Sequence, residues 1–311
     1  MRGSMHQMLR RPPALQPGDT IRLIAPSGAF DQERFEAGAA LIRAAGWNLE
    51  YDWRLFSKHG YLAGSDALRW EVLREALEAS QAKALWVVRG GYGVTRLLPR
   101  LRAGMLQRAN KLLIGFSDAT ALHAQWVRDG VCSVHGPNVT TLAQWTNQAR
   151  EELWRWLRAP EPIAYSATLA AGAKQAAAGP LVGGNLTVLG ALVGTGRLPP
   201  TRGAWLLLED VGEQPYRLDR TLTQLLQADA FAGVAGFLIG QLTRCGGDSA
   251  EAEREARKVV VDTLAATGRP VLVGLPFGHD ASSRAVMLGA EVQWQPGTSR
   301  LTVHPPAPQA A

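Results

Sequence analysis

The sequence predicts an α/β protein in two units, an N-terminal domain on a parallel sheet followed by a smaller, more β-rich α/β C-terminal domain. Three observations carry this expectation. Short apolar runs alternate with amphipathic stretches from residue 20 to residue 128, composition shifts toward alanine, proline and glycine near 160–180, and three short runs near 285–303 are separated only by Gly289 and Pro296-Gly297. Alternating strands and helices imply a parallel sheet covered on both faces, whereas short runs joined by turn residues imply antiparallel pairing. With 311 residues, 46% of them hydrophobic, the chain can fill more than one core.

Each element follows from its local pattern. TIRLIAP (20–26) is an apolar run closed by Pro26-Ser27-Gly28, and from Asp31 to Ala45 apolar residues recur at three and four, so a strand is followed by a helix. Leu68 to Ser80 reads as a helix, KALWVV (83–88) and KLLIGF (111–116) as strands, and Ala119 to Arg128 as a helix. The stretch 160–180 has no amphipathic period and is assigned as the linker. Beyond it WLLLE (205–209), GFLIG (236–240) and PVLVG (270–274) read as strands. The expected organisation is a disordered extension at 1–18, an N-terminal domain at 19–159, the linker at 160–180 and a C-terminal domain at 181–311.

Composition narrows the function classes. No apolar stretch approaches the roughly eighteen residues of a membrane span, and the basic N-terminus MRGSMHQMLRRPPALQPGD has no apolar segment after its arginines, so it does not read as a secretory leader. A cytoplasmic protein is expected. Cys132 and Cys245 are the two cysteines and imply no disulfide framework. The net charge of +6 raises nucleic-acid binding, but the arginines are scattered and not interleaved with aromatics, so neither nucleic acid nor membrane is expected as a partner.

The chemistry gathers at strand ends. Ser117 lies between the run KLLIGF and a helix, in Gly115-Phe116-Ser117-Asp118-Ala119, as in a nucleophile elbow, where the hydroxyl stands over the sheet edge and the following N–H, here of Asp118, points at an oxyanion. Ala119 stands where such elbows usually carry glycine. The bland alternative for Ser117 is a helix N-cap.

A serine nucleophile needs a base and a group to orient it. Of six histidines, His6 and His304 are terminal, His59 lies in a polar loop, His123 falls on an apolar helix face and His135 opens HGPN after VCSV. His279 is the best base, because GLPFGH follows PVLVG and puts an imidazole on a Gly/Pro turn at a strand end. WLLLEDVGE supplies Glu209, Asp210 and Glu213, and since side chains alternate along a strand only one of the first two can face the base. The glycine turn of WVVRGGYG (86–93) suits a second oxyanion donor, with Gly91 the candidate, or else a phosphate loop; it lacks the third glycine of the dinucleotide fingerprint, and no GK[ST] occurs. Arg89 beside it either binds a substrate carboxylate or shapes the turn through a structural partner. Neither HExxH nor a clustered His/Cys set is present, so no metal and no cofactor are expected.

Together IAPSG, RGGYG, IGFSD, HGPN, GGNL, LLLEDVGE followed by YRLDR, and GLPFGH resemble the LD-carboxypeptidases, from about Asp19 to the C-terminal strands. The resemblance implies Ser117 as nucleophile, Glu209 as acid and His279 as base, on a Rossmann-like N-terminal domain and a smaller β-rich C-terminal one, in a homodimer. It implies hydrolysis of the L,D bond before the terminal D-alanine of a murein tetrapeptide or muropeptide during peptidoglycan recycling. The residues after His279, Asp280-Ala-Ser-Ser-Arg284, follow the family pattern less clearly. Two rivals stand beside this reading. A microcin C immunity-like amidase shares the residues but carries extra aromatic loop sequence, where this chain has only Trp205 between Pro180 and Glu209. A small-ligand binding protein fits the two-lobed fold alone.

Overall fold

The computed structural model describes residues 9–173 and 177–307. The first half of the chain contributes strands β1 (Thr20–Ile24), β2 (Asn48–Glu50), β3 (Ala82–Val87), β4 (Leu112–Gly115) and β5 (Ser133–His135). The second contributes β6 (Ile163–Ser166), β7 (Thr168–Ala171), β8 (Ala177–Asn185), β9 (Trp205–Val211), β10 (Gly236–Thr243), β11 (Val271–Val273), β12 (Val286–Leu288), β13 (Glu291–Trp294) and β14 (Arg300–His304).

The first sheet has the order β12-β5-β4-β3-β1-β2, with β1 to β5 all parallel and β12 antiparallel at the edge. Apolar runs form its centre because both faces are covered: β4 is buried throughout, and β3 at every residue but Lys83. Among the helices on these faces are Gln32–Ala44, started by the Asp31 carboxylate on the N–H of Arg34 at 2.9 Å, and Asp66–Glu78, capped by Ser65. The second sheet has the order β6-β14-β13-β8-β9-β10-β11-β7, parallel from β8 to β11 and antiparallel outside them. No described helix is long and apolar enough to cross a membrane.

Three features depart from the sequence expectations. The segment 160–180 carries β6, β7 and the start of β8, and β6 and β7 take the two edges of the second sheet. They are too short, and too exposed on one side, to show a period. Residues 9–18 of the expected disordered extension pack onto the fold: Leu15 is fully buried, and the N–H of Arg10 bonds the carbonyl of Gly130 at 2.7 Å. Residues 1–8 lie outside the described residues. Of the three C-terminal runs, β13 and β14 pair antiparallel as expected, but β12 leaves the second sheet and pairs with β5, His135 facing Val286. This crossover ties the loop that carries His279 to the edge of the first sheet.

Candidate active site

All five parallel strands of the first sheet deliver their following loops to one edge, the carboxyl end where ligands gather in open α/β sheets. The loops after β1, β3, β4 and β5 hold Pro26-Ser27-Gly28, Arg89-Gly90-Gly91, Phe116-Ser117 and Gly136-Pro137-Asn138. They are bound to one another. The N–H of Gly28 donates to the carbonyl of Gly90 at 3.1 Å, and Asn138 accepts from the N–H of Phe116 at 3.3 Å.

Ser117 has φ +63°, a left-handed conformation that costs a non-glycine residue roughly 1–2 kcal/mol. It caps nothing: neither the 3-10 turn Ser117–Ala119 nor the helix Thr120–Arg128 has a side-chain cap hydrogen bond at its start. Among the described residues the Ser117 hydroxyl has no hydrogen-bond partner, which leaves it free for chemistry. Gly90 lies directly behind it, since a Cβ there would stand 2.8 Å from Ser117 Cβ and 2.9 Å from its Oγ. The alanine at 119 is accommodated by Gly115, where a Cβ would come within 3.1 Å of the Ala119 methyl.

β9 and the loop after β11 bring the second sheet to the same place. Glu209, fully buried, accepts from Nδ1 of His279 at 2.7 Å, and its other oxygen lies 3.8 Å from Nε2 of His135. The His279 ring packs against Phe116, the residue before Ser117, with centroids 4.5 Å apart. Burial pushes the Glu209 carboxyl up, but the charge of His279 and the contacts of His135 and His279 outweigh it and hold the pKa down at about 2. For His279 burial acts downward, and the Glu209 carboxylate overcomes it, so the imidazole is raised above its usual 6.5. A buried carboxylate on Nδ1 fixes the tautomer that leaves Nε2 as the basic nitrogen.

Asp210 points away from this pair. It accepts from Asn185 Nδ2, from the N–H and Oγ of Thr187 and from the N–H of Val211 at 2.8–2.9 Å, and burial, with the Glu209 charge second, pushes it up to about 6. Glu213 is half-buried, 3.6 Å from Arg217. His123 is a satisfied core histidine between Ser133 and the Gly115 carbonyl, both at 2.8 Å, and burial lowers it to about 3. The loop after His279 is anchored on β10: Gln241 accepts from the N–H of Asp280 at 3.2 Å and from the Ser283 hydroxyl at 2.6 Å.

Gly91 has φ +99° and sits in the turn beside Gly90. The Asp118 side chain, buried and raised by that burial, accepts from the N–H of Val94 at 2.9 Å and so joins the Ser117 turn to the glycine turn. Arg89 is exposed and donates one nitrogen to the carbonyl of Ala29. Two supporting residues, Asn138 of HGPN and Arg69, receive no role from the sequence. Asn138 holds Phe116, and the fully buried Arg69 donates to the carbonyls of Pro26, Gly93 and Gly64, pinning three loops at once.

A cavity of about 260 Å³ opens on the far side of Gly91, between the turns of Gly28 and Tyr92. A larger one of about 510 Å³ lies at the opposite end of β3 and β4, around Lys83 and Lys111, away from the serine.

A serine on a strained strand-to-helix turn, beside a buried carboxylate and imidazole pair, defines a serine-type hydrolase on an α/β scaffold. Residues 21–136 match the LD-carboxypeptidase N-terminal domain and residues 178–294 the LD-carboxypeptidase C-terminal domain. The chain belongs to the LD-carboxypeptidase family and is a serine-type carboxypeptidase. It is 34% identical to the murein tetrapeptide carboxypeptidase of Pseudomonas aeruginosa over 294 residues, which cover 88% of this chain and 94% of that one. The crystal structure of a muramoyltetrapeptide carboxypeptidase from Oxalobacter formigenes superposes with a TM-score of 0.80 at 23% identity, over 93% of this chain and all of that one. The microcin C7 self-immunity protein bound to aspartyl sulfamoyl adenosine superposes with a TM-score of 0.83 at 20% identity, over 97% of this chain and 99% of its own. At these identities the two structures bear on the fold alone.

Proposed function

We propose that this carboxypeptidase removes the terminal D-alanine from murein tetrapeptides through Ser117, His279 and Glu209, as a cytoplasmic, homodimeric enzyme of peptidoglycan recycling. The observation that carries the reading is the 2.7 Å bond between His279 and the buried Glu209, with the His279 ring packed against the residue before a serine held at φ +63°. Nε2 of His279 takes the Ser117 proton as the hydroxyl oxygen attacks the carbonyl before D-alanine. The oxyanion that forms is met by backbone N–H groups, Asp118 after the nucleophile and Gly91 across the cleft. His279 then protonates the leaving amine, D-alanine departs, and water, deprotonated by the same imidazole, hydrolyses the acyl-enzyme. The carboxylate of Glu209 stabilises the imidazolium in both halves.

The amidase alternative calls for an aromatic surface between Pro180 and Glu209 on which to stack a base. Trp205, which is fully buried in β9 with its ring 6.2 Å from Trp294, does not offer one.

Incubating the protein with free murein tetrapeptide and following products by mass spectrometry tests the reading. Equimolar tripeptide and D-alanine are expected, and an amidated D-alanine terminus should slow release sharply. Intact tetrapeptide, or equal cleavage of the amide, would refute it.

A further inference from the structure

We propose that the cavity beside Gly91 is a carboxylate subsite of the peptide substrate, in which Lys58 and Arg89 supply the charge and Tyr61 and Tyr92 the walls; this rests on the carboxypeptidase reading above. The cavity is one residue removed from the nucleophile, because Gly91 lines it while Gly90 backs onto Ser117. Its lining thus reaches the residue next to the one that backs Ser117.

Its lining is selective in charge. Lys58 and Arg89 both border the cavity, and among the described residues no carboxylate side chain does. Among the described residues Lys58 has no ion-pair partner, and Arg89 spends one nitrogen on the carbonyl of Ala29, which fixes the guanidinium at the rim while leaving other donors free. Two cations facing one small space without a counter-charge repel each other, and an anion bound between them removes that penalty.

The walls are also unlike ordinary surface. Tyr61 is 64% and Tyr92 46% exposed, yet their rings form a pair with centroids 6.2 Å apart, on the same cavity as the cations. Single exposed aromatics are common and mean little, but a pair flanking two free cations gives an aliphatic stem two flat faces to lie against. A murein tetrapeptide offers two carboxylates close to the scissile bond: the terminal one of D-alanine and, in diaminopimelate-type peptides, the one at the end of the side chain of the residue before it.

Binding to the inactive Ser117→Ala protein, measured by calorimetry, tests the subsite apart from turnover. Adding Lys58→Gln to that background should weaken binding of the diaminopimelate-type tetrapeptide on the order of fivefold. If amidating the D-alanine abolishes this difference, the terminal carboxylate occupies the subsite. If a lysine-type tetrapeptide abolishes it, the side-chain carboxylate does. Equal affinity with and without Lys58, no binding to Ser117→Ala, or a Lys58 effect that survives both changes would overturn the proposal. Failure of the function reading looks different: tight, Lys58-dependent binding with no D-alanine released by the wild-type enzyme.

Discussion

His279 Nδ1 stands 2.7 Å from Glu209 Oε2 inside the protein, and the two groups move each other's ionisation in opposite directions. Replacing the acid by Glu209→Gln keeps its shape and removes its charge. Turnover should fall roughly a thousandfold or more, as for loss of a triad acid, and the residual activity should gain its base at lower pH, because the imidazole is no longer raised. Measuring kcat/KM against pH for both proteins checks this. An acid limb that stays in place would remove Glu209 from the role, and a larger defect in Glu213→Gln would transfer it.

The same pair predicts a pH window for stability. Glu209 is lowered from 4.5 to about 2, so its contribution is present above about 4.5 and fades as pH falls toward 2. His279 is raised above 6.5, so its contribution is complete below that value and fades as pH rises through the folded pKa. The Tm difference between wild type and Glu209→Gln should therefore be widest between about pH 4.5 and 6.5, narrowing on both sides. A difference that is flat from pH 3 to 9 would mean that the pair is not coupled to folding.

At Ser117 function and stability should part. Ser117→Ala and Ser117→Gly both remove the hydroxyl and should abolish nearly all turnover. Only the glycine variant can relax φ +63°, so it should be the more stable of the two by up to about 1 kcal/mol, or a few degrees in Tm. Equal melting temperatures would show that the turn stores no strain, and wild-type turnover in either variant would end the nucleophile assignment.

Gly90 makes a sharper test of the geometry. A Cβ there would meet Ser117 Cβ at 2.8 Å, its Oγ at 2.9 Å and Asn138 Nδ2 at 3.3 Å, and Asn138 is itself bonded to the backbone of Phe116. Gly90→Ala should displace the nucleophile by a few tenths of an ångström to an ångström and cost on the order of a hundredfold in kcat, with the fold retained by circular dichroism. Activity within a factor of two of wild type would mean that the serine turn yields freely.

These contacts also mark where sequence reading stops. β1, β3, β4, β9 and β10 were legible because strands covered on both faces are continuous apolar runs, and Ser117, Glu209 and His279 stood out as candidates because each stands at or beyond the end of an apolar run. β8 was not: AAGPLVGGN looks like loop, yet Gly183 is needed because a Cβ would reach 2.1 Å from the carbonyl of Leu207, and Gly184 because one would reach 2.5 Å from Thr120 Oγ1. The pairing of Glu209 with a second histidine, His135, and the crossing of β12 to the first sheet depend on tertiary contacts that leave no local pattern.

Arg69 is the clearest such residue, and it yields the last prediction. In the helix Asp66–Glu78 it reads as one more surface arginine, but its side chain is fully buried, bonded at 2.9 Å to the carbonyl of Gly93, at 2.5 Å to Asp66, and to the carbonyls of Pro26 and Gly64. Methionine fills similar space and can bond none of these. Arg69→Met would leave three loop carbonyls short of a donor, and Asp66 with Arg96 alone, at 2.8 Å. The expected loss is about 3 kcal/mol or more, with faster hydrogen exchange at the amides of 91–94, since the turn that carries Gly91 loses its anchor. Arg96→Ala is the control: that arginine is largely exposed, and its removal leaves every Arg69 bond in place, so the melting temperature should barely move. If Arg69→Met melted with the wild type and exchanged no faster at 91–94, the loops would be held by their own backbone bonds, such as Gly28 to Gly90, and Arg69 would only fill space.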